Sequence, residues 1–385
     1  MSTIHPSPAQ FFAFGGDNAR GYSTAGDVLV NKPSDIVDLN TIWADAASAM
    51  SVWNKKRMAL ASLISYKTTN VGDAIPQGIG GDHFEIASEM GEPVGLRAEP
   101  DTLILGYSYQ DYDIATRFTW KFLRNASAEQ VYSVVNRALE ADNRLVTGQI
   151  LRRLFDPTPV LNEFGQTCYG LYNGVDGITP PPHAGQEFPS STSHYLVSQN
   201  AALDPGDLVD LIEQVGSKGC GAENNTLLII LCHPAEAKVI AQFRAEQETN
   251  RIVSEYDYIP SSNAPAFLSE DNIVGEQAPG VFGGLEVAGS FGPAWIIPSF
   301  YLPQKYVAFV ATGGPNSSLN PVAMRELENP TYRGLRAIPG RDSRYSLIES
   351  YFARGFGVGV RQRGAAAVLQ VKASGSFDIP EWSWK

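Results

Sequence analysis

The stretch that decides the fold is glycine-rich and lies near the end of the chain: Gly355-Phe356-Gly357-Val358-Gly359-Val360-Arg361. It superficially resembles a phosphate-binding glycine loop, but no helical pattern follows it and the chain contains no Gly-Lys-Ser or Gly-Lys-Thr. Its apolar residues alternate with glycine, which is typical of a strand. Residues 344–372 continue the alternation and predict a pair of strands that turns at Arg363-Gly364.

Ahead of this region the sequence predicts an amphipathic strand followed by a long helix. The apolar or uncharged face of the strand comprises Tyr112, Ile114, Thr116, Phe118, Trp120 and Phe122. Ser127 and Gln130 then match a helix capping box, and an apolar stripe runs from Val131 to Leu154 until Asp156-Pro157 ends it. At a rise of about 1.5 Å per residue, this helix is roughly 40 Å long.

A different pattern begins near residue 196 and predicts an α/β lobe over residues 196–315. Asp204-Pro205 opens a helix to about Gly216, Thr226 to Cys232 is an apolar strand, and Pro234 to about Glu246 is a second helix. Three more strands follow, at Gly284–Ser290, Ala294–Pro298 and Tyr306–Ala311.

The first hundred residues look like an arm, a helix and a long loop. The first thirty residues show no period, and a helix starts after Ser34-Asp35 with Trp43 and Trp53 on one stripe. These tryptophans belong either to the chain's own core or to a docking surface for a neighbouring subunit. Residues 66–105 lack a helical period, and the alternation around Phe84 allows a protruding two-stranded hairpin.

Composition excludes several classes of protein. A chain of 385 residues is long enough for two or three lobes, and 43% hydrophobic residues exclude a disordered polypeptide. No apolar run approaches the length of a membrane helix, and we expect no secretory signal. The net charge of −12 disfavours a protein that grips nucleic acid over its whole surface. Three cysteines without short spacings indicate a reducing compartment.

No catalytic, cofactor-binding or metal-binding residue is predicted. The five histidines form no ligand spacing, and His233 is best interpreted as a strand-end turn. No Gly-x-Ser-x-Gly elbow is present, so acyl transfer has no anchor in the sequence. An α/β enzyme with an unrecognised site is the remaining alternative, and no motif in the sequence supports it.

Charge is distributed unevenly along the chain. Residues 325–372 hold nine basic and four acidic residues, whereas residues 66–105 hold seven acidic and two basic ones. Arg97 is the one Lys or Arg between residues 82 and 101, and Arg361 belongs to the basic segment. Opposite charges of this kind suit a head-to-tail interface between subunits, and ordinary solvated charge is the alternative.

The order of these parts resembles the major capsid protein family of tailed bacteriophages, whose fold is shared by encapsulins. The likeness in sequence is best at Arg344-Tyr345-Ser346, at the glycine-rich strand, at Ala365–Val371 and at Pro380. The segment Leu227 to Phe243 likewise looks like the family's inserted lobe.

The resemblance implies an α+β capsid fold with four parts. They are an N-terminal arm and helix (1–65), an extended loop (66–105), a peripheral domain with a spine helix (106–195 and 316–385) and an inserted axial α/β domain (196–315). In the family the loop reaches over a neighbouring subunit. The candidate interface residues are Trp43, Trp53, Phe84, Arg97, Arg361 and Trp382.

The implied function is structural and not enzymatic. The resemblance implies pentamers and hexamers of a virion capsid, assembled in the host cytoplasm around viral double-stranded DNA without sequence-specific binding or a cofactor. Family members often carry a cleaved N-terminal scaffolding segment, but only about sixty residues precede the loop here, which suggests a separate scaffolding protein or none. The resemblance also implies portal and decoration proteins as partners. Some members cross-link a loop lysine to another subunit, and Lys67 is a conceivable donor. The alternative within the fold is an encapsulin-like nanocompartment shell.

Overall fold

The computed structural model describes residues 33–35, 37–55, 58–76, 84, 86–87, 89, 91–92, 102–183, 186–262, 277–339 and 347–382. Contacts divide the chain into two compact units. The first unit comprises Met1–Lys55, Tyr112–Ala141 and Leu335–Ala353. The second unit comprises Lys56–Asp111, Asp142–Gly334 and Arg354–Lys385. The four-part domain division suggested by the sequence stays a prediction.

The described part of the chain mixes helices and short strands, which confirms the predicted α+β class. The helices are α1 (Leu39–Lys55), α2 (Ala59–Ile64), α3 (Trp120–Asn125), α4 (Ala128–Phe155), α5 (Pro205–Gly216) and α6 (Pro234–Ile240), with 3₁₀ turns at Ala222–Asn224 and Pro330–Tyr332. The first ten strands are β1 (Ser65–Thr68), β2 (Gly72–Pro76), β3 (Thr102–Gly106), β4 (Gln110–Thr119), β5 (Val160–Leu161), β6 (Thr167–Cys168), β7 (Tyr195–Val197), β8 (Leu227–Cys232), β9 (Glu248–Thr249) and β10 (Ile252–Val253). The remaining strands are β11 (Tyr258–Pro260), β12 (Val281–Phe282), β13 (Leu285–Glu286), β14 (Gly289–Phe291), β15 (Ala294–Pro298), β16 (Tyr306–Thr312), β17 (Val322–Arg325), β18 (Arg336–Pro339), β19 (Leu347–Val360) and β20 (Ala366–Gln370).

The first unit is built around α1 and the first half of α4. Ala46 and Met50 of α1 form one buried cluster with Val135 of α4 and Phe352 of β19. These residues recur at helical spacing, so each helix presents one apolar stripe to the other elements of the unit. The unit's core therefore comes from three separate stretches of the sequence.

Helix α4 is the predicted long helix, and it has 28 residues. The predicted capping box is present: the Ser127 amide donates to Gln130 Oε1 at 3.0 Å, and the Gln130 amide donates to Ser127 Oγ at 3.4 Å. This pair satisfies two amides that the first helical turn leaves without intrahelical partners.

Helix α1 begins at Leu39 and not directly after Ser34-Asp35, the predicted cap. The two side chains bind the start of α4 instead: the Ser34 hydroxyl donates to the Ala126 carbonyl at 2.8 Å, and the Ala128 amide donates to Asp35 Oδ2 at 2.8 Å.

Three other predicted elements are shorter than the sequence pattern suggested. Strand β4 ends at Thr119, because the Thr119 hydroxyl accepts from the Phe122 amide and caps helix α3. Helix α6 ends at Ile240 and not near Glu246. The predicted strand Gly284–Ser290 is split between β13 and β14, because Val287 and Ala288 belong to neither strand.

The second unit contains a seven-stranded sheet with the order β11-β14-β15-β8-β16-β20-β7. Helices α5 and α6 pack on the same apolar cluster: Leu208, Leu211 and Ile240 lie with Leu228 and Ile230 of β8. Helix α5 has the predicted bounds, since the Asp204 side chain accepts from the Asp207 amide in a capping box. The predicted α/β pattern of this region is therefore present.

The predicted hairpin at Arg363-Gly364 is wrong. Strand β19 pairs with β17 and β18, whereas β20 pairs with β16 and β7 in the seven-stranded sheet. Every residue of β20 is buried, and a strand of that kind requires partners on both edges and cover on both faces. Alternation indicates a strand but does not specify its partner.

The glycines of β19 let another stretch of backbone cross over the strand. A Cβ at Gly357 would overlap the carbonyl group of Ser108, and one at Gly355 would overlap the Tyr109 ring. The backbones are joined there, because Ser108 Oγ accepts from the Val358 amide at 3.0 Å and donates to the Val358 carbonyl at 2.9 Å. The alternate residues, Phe356 among them, are buried.

Arg363 fixes the turn between β19 and β20 from inside the protein. Its side chain is 1% exposed and forms a two-pronged ion pair with Asp176. Its remaining donors reach the carbonyl oxygens of Gly170 at 2.9 Å, Ile178 at 2.8 Å and Leu171 at 3.2 Å. The planar guanidinium has five N–H donors, and all of them have acceptors here. A buried arginine charge is stable only when its donors are satisfied in this way.

Among the described residues, no helix is both long and apolar enough to cross a membrane.

The crossing at β19 predicts a strong penalty for a side chain at residue 357. Gly357→Ala should destabilise the protein by about 3 kcal/mol, because its Cβ occupies the space of the Ser108 carbonyl. Gly216→Ala is the matched control, since nothing lies near its Cβ and alanine favours a helix by about 0.5 kcal/mol. Thermal unfolding measures both, and equal midpoints for the two variants would contradict the crossing.

The buried guanidinium of Arg363 leads to the prediction that lysine, which keeps only the positive charge, cannot replace it. Arg363→Lys should lower the free energy of unfolding by about 3–5 kcal/mol, because lysine leaves Asp176 and three carbonyls without their partners. Arg361→Lys, at a side chain that is 41% exposed, should cost about 0–1 kcal/mol. Denaturant titrations measure the free energy of unfolding of both variants. A loss for Arg363→Lys as small as that for Arg361→Lys would contradict the importance of the guanidinium hydrogen bonds.

Candidate assembly interface

The base of the predicted extended loop is a two-stranded ribbon. Strands β2 and β3 are antiparallel, with Gly72 opposite Gly106 and Pro76 opposite Thr102. The ribbon thus pairs residues 72–76 with residues 102–106. The sequence placed a hairpin around Phe84 and Ile86; neither of these two residues belongs to a strand, and most of their neighbours lie outside the described residues. The loop leaves and re-enters the second unit at neighbouring points.

Phe84 and Ile86 are fully exposed apolar side chains. Exposure of two such residues so close together costs solvation free energy that a partner surface would recover. Phe84 thus remains a candidate interface residue. Arg97 lies outside the described residues and stays a prediction from the sequence.

The ribbon is anchored by a polar cluster around Asp73. The Tyr107 hydroxyl donates to Asp73 Oδ2 at 2.6 Å, and Arg361 Nε lies 2.9 Å from the same oxygen. Burial, together with the neighbouring Tyr66 and Asp73, raises the pKa of the Tyr107 hydroxyl, which keeps it a donor. Arg361, a predicted interface residue, therefore holds the ribbon of its own chain while part of its side chain remains exposed.

Trp43 and Trp53 are half-buried on α1 within the first unit. The Trp43 ring lies 6.4 Å from the ring of Phe118 and 6.5 Å from that of Phe352, and Trp53 packs on the same cluster as Met50. This packing supports the first of the two interpretations, a helix face that serves the chain's own core. Their role in an interface stays a prediction.

Trp382 packs within its own chain as well. Its ring meets Phe155, the last residue of α4, edge-on at 5.6 Å, and Phe155 meets Tyr306 at 6.0 Å. Phe377 adds a contact to Tyr195 at 5.2 Å. This aromatic cluster ties the last described residues to the seven-stranded sheet.

Much of the predicted basic segment is buried in ion pairs. Arg325 lies 2.6 Å from Glu163, and Arg354 lies 3.0 Å and 2.8 Å from the two oxygens of Asp142. Together with Arg363, three of the nine basic residues are therefore internal. A count along the sequence cannot distinguish such residues from surface charge, so the basic surface is smaller than the count indicates.

Lys67 is paired within its own chain. Its Nζ lies 3.2 Å from Oε2 of the buried Glu326. An ammonium held in this pair is an unfavourable nucleophile, so the contact argues against Lys67 as a cross-link donor.

The described histidines have structural environments. His233 caps α6, where Nδ1 accepts from the Ala235 amide at 3.1 Å, as expected for a strand-end turn. His194 is buried, and burial lowers its pKa to about 4. No group of three or more His, Cys, Asp or Glu that could hold a metal occurs in the part of the chain that the structure describes.

Comparison with solved structures shows a clear sequence relationship to a phage protein. A structure from Mycobacterium phage Patience is 36% identical, covers 94% of this chain and 96% of that chain, and superposes with a TM-score of 0.71.

Two more distant structures also align. The capsid of an empty GTA particle, computed with C5 symmetry, is 11% identical over 82% of this chain and 91% of that chain, with a TM-score of 0.46. The holo-SrpI encapsulin complex from Synechococcus elongatus is 12% identical over 87% and 98%, with a TM-score of 0.43. Neither likeness is close enough to carry an argument.

No protein-family model and no curated protein matches the sequence.

The fold predicted from the sequence is confirmed by this comparison. The match to the phage structure covers 94% of this chain and therefore almost all of the fold described above. Identity above 30% over that length shows common family membership. The chain belongs to the major capsid protein family of tailed bacteriophages and is a structural, major capsid subunit.

Proposed function

We propose that this subunit assembles as pentamers and hexamers into a closed icosahedral shell that encloses viral double-stranded DNA. The observation that carries the proposal is the 36% identity to the structure from Mycobacterium phage Patience over nearly the full length of both chains. The same observation favours a viral capsid over an encapsulin-like compartment. Sedimentation velocity and light scattering on the purified protein test it: large closed particles are expected, and stable monomers would oppose it.

Assembly in this proposal uses the extended loop. The loop emerges from the ribbon between Pro76 and Thr102 and carries the exposed Phe84 and Ile86. Burying such side chains on a neighbouring subunit stabilises the contact by about 1.5–3 kcal/mol for each fully buried ring or branched chain. The Asp73 cluster holds the base of the ribbon, so the loop starts from a fixed point.

The α/β region is proposed to meet its copies at the centre of each pentamer and hexamer. It exposes apolar side chains that its own core does not use: Ile252 and Val253 of β10, and Phe300, which is 80% exposed. A symmetric ring places the same patch of every subunit against its neighbour, which suits exposed apolar residues of this kind.

The shell is proposed to confine DNA without reading its sequence and without catalysis. The net charge of −12 limits adhesion of the subunit to the enclosed DNA. In this proposal the subunit acts only by associating with other subunits. Scaffolding, portal and decoration proteins are the proposed partners, and the host cytoplasm is the proposed place of assembly.

Replacing the loop should separate folding from assembly. Because Pro76 and Thr102 are opposite each other, residues 77–101 can be replaced by Asn-Gly, which closes a two-residue hairpin. We expect a folded subunit with nearly unchanged thermal stability that forms no large particles. Circular dichroism and electron microscopy check the two parts, and normal-sized particles from this variant would contradict the role of the loop.

A substitution at Phe84 alone should also impair assembly without affecting folding. Phe84→Ser should leave the free energy of unfolding unchanged, since the ring is fully exposed, but raise the protein concentration needed for assembly by about tenfold. Phe84→Tyr keeps the ring and is the matched variant, expected to assemble as the parent does. Light scattering across a concentration series measures the threshold, and an unchanged threshold for Phe84→Ser would count against it.

A further inference from the structure

A cavity of about 360 Å³ lies within the second unit. Residues from four separate parts of the chain line it: Ala74 and Ile75 of β2; Ile178, Pro180–His183 and Phe188; Lys218, Cys220 and Asn224 after α5; and the turn Arg361–Ala365. The cavity therefore lies beside the ribbon base and the buried turn. Nothing in the proposed shell function uses it.

The charged side chains that line the cavity are cationic. Lys218, Arg361 and Arg363 all contribute to the walls, and no Asp or Glu is among the lining residues that the structure describes. Such a surface is notable in a chain with a net charge of −12. The positive lining favours an anionic ligand.

Lys218 differs from the two arginines because it has no carboxylate partner among the described residues. Arg361 pairs with Asp73 and Arg363 with Asp176, and neither aspartate is among the described residues that line the cavity. The Lys218 ammonium donates to the Glu187 carbonyl at 2.6 Å. An ammonium has three donors, so this bond leaves donors for a ligand.

The Lys218 ammonium is also held against an apolar wall. It lies 4.5 Å from the centre of the Phe188 ring, and burial lowers its pKa. A partly buried cation without a carboxylate partner is stabilised by an anion whose apolar part also excludes water from the contact. Lys218 is therefore the anchor that selects the charge of the ligand.

The other lining residues favour a ligand whose remaining part is apolar. Pro180, Pro182, Ile178 and Ala365 line the cavity beside Phe188. A dry cavity of about 150 Å³ accommodates benzene, and ligand sites are typically about 300–1,000 Å³ with a few placed polar groups. The present volume accordingly accommodates an aromatic ring together with a carboxylate arm.

We propose that this cavity binds an organic carboxylate with a compact apolar body, the carboxylate on Lys218 and the body against Phe188 and the prolines. The carboxylate belongs either to a free small acid or to an acidic side chain of a peptide, and the binding chemistry is the same. A ligand seated there would connect the ribbon base to the turn at residues 361–365.

Titration of phenylacetate against the purified full-length protein, followed by ligand-observed NMR, tests the site. We expect saturable binding that is about tenfold weaker for phenylacetamide, which has the same ring without the charge. Lys218→Met should weaken phenylacetate binding about tenfold, whereas Lys218→Arg and the control Lys238→Met should retain it. Circular dichroism verifies that each variant is folded.

A second arm identifies the source of the carboxylate. A synthetic peptide spanning residues 81–92, which contains Phe84 and four acids, competes with phenylacetate if the site takes a peptide of a second copy. Competition by the peptide supports the peptide source, and phenylacetate binding without it supports a free acid. Absence of binding by both probes, equal binding of the amide, or full binding by Lys218→Met would overturn the site.

Discussion

The close crossing of two backbones at β19 is the constraint on which the ribbon depends. Glycine at residues 355, 357 and 359 removes the side chains from one face of the strand, and the segment that follows β3 lies directly against that face. Ser108 completes the contact through both the amide and the carbonyl of Val358. A side chain on this face would displace the segment and, with it, the start of the extended loop.

The crossing links the extended part of the subunit to its packed core. Tyr107 directly follows β3, and its hydroxyl and Arg361 both bind Asp73, so the ribbon is held at its base, where the proposed interface loop starts. Arg363, two residues after Arg361, fixes the turn that leads into β20 and the seven-stranded sheet. One strand and its turn thus connect the ribbon to the sheet.

Local signals in the sequence predicted the starts of α4 and α5, because helix caps are local, whereas α1 begins at Leu39 and not directly after Ser34-Asp35. The box at Ser127 and Gln130 and the cap at Asp204 both mark the starts of the helices that follow. Pairing was not predictable in this way: β20 alternates like a hairpin partner of β19 but joins β16, because alternation carries no information on partners. The site was only partly foreseen, since Phe84 is exposed as expected while Arg325, Arg354 and Arg363 pair internally at long sequence separation.

Cryo-electron microscopy of the purified, untagged protein, alone and co-expressed with the scaffolding protein of its own phage, tests the central claim most directly. The account predicts closed shells with five-fold and six-fold clusters, in which the seven-stranded sheet of each subunit lies nearest the cluster axis and the loop of residues 77–101 lies on a neighbouring subunit. Monomers or dimers under every condition, or particles in which the loop contacts only its own chain, would contradict it.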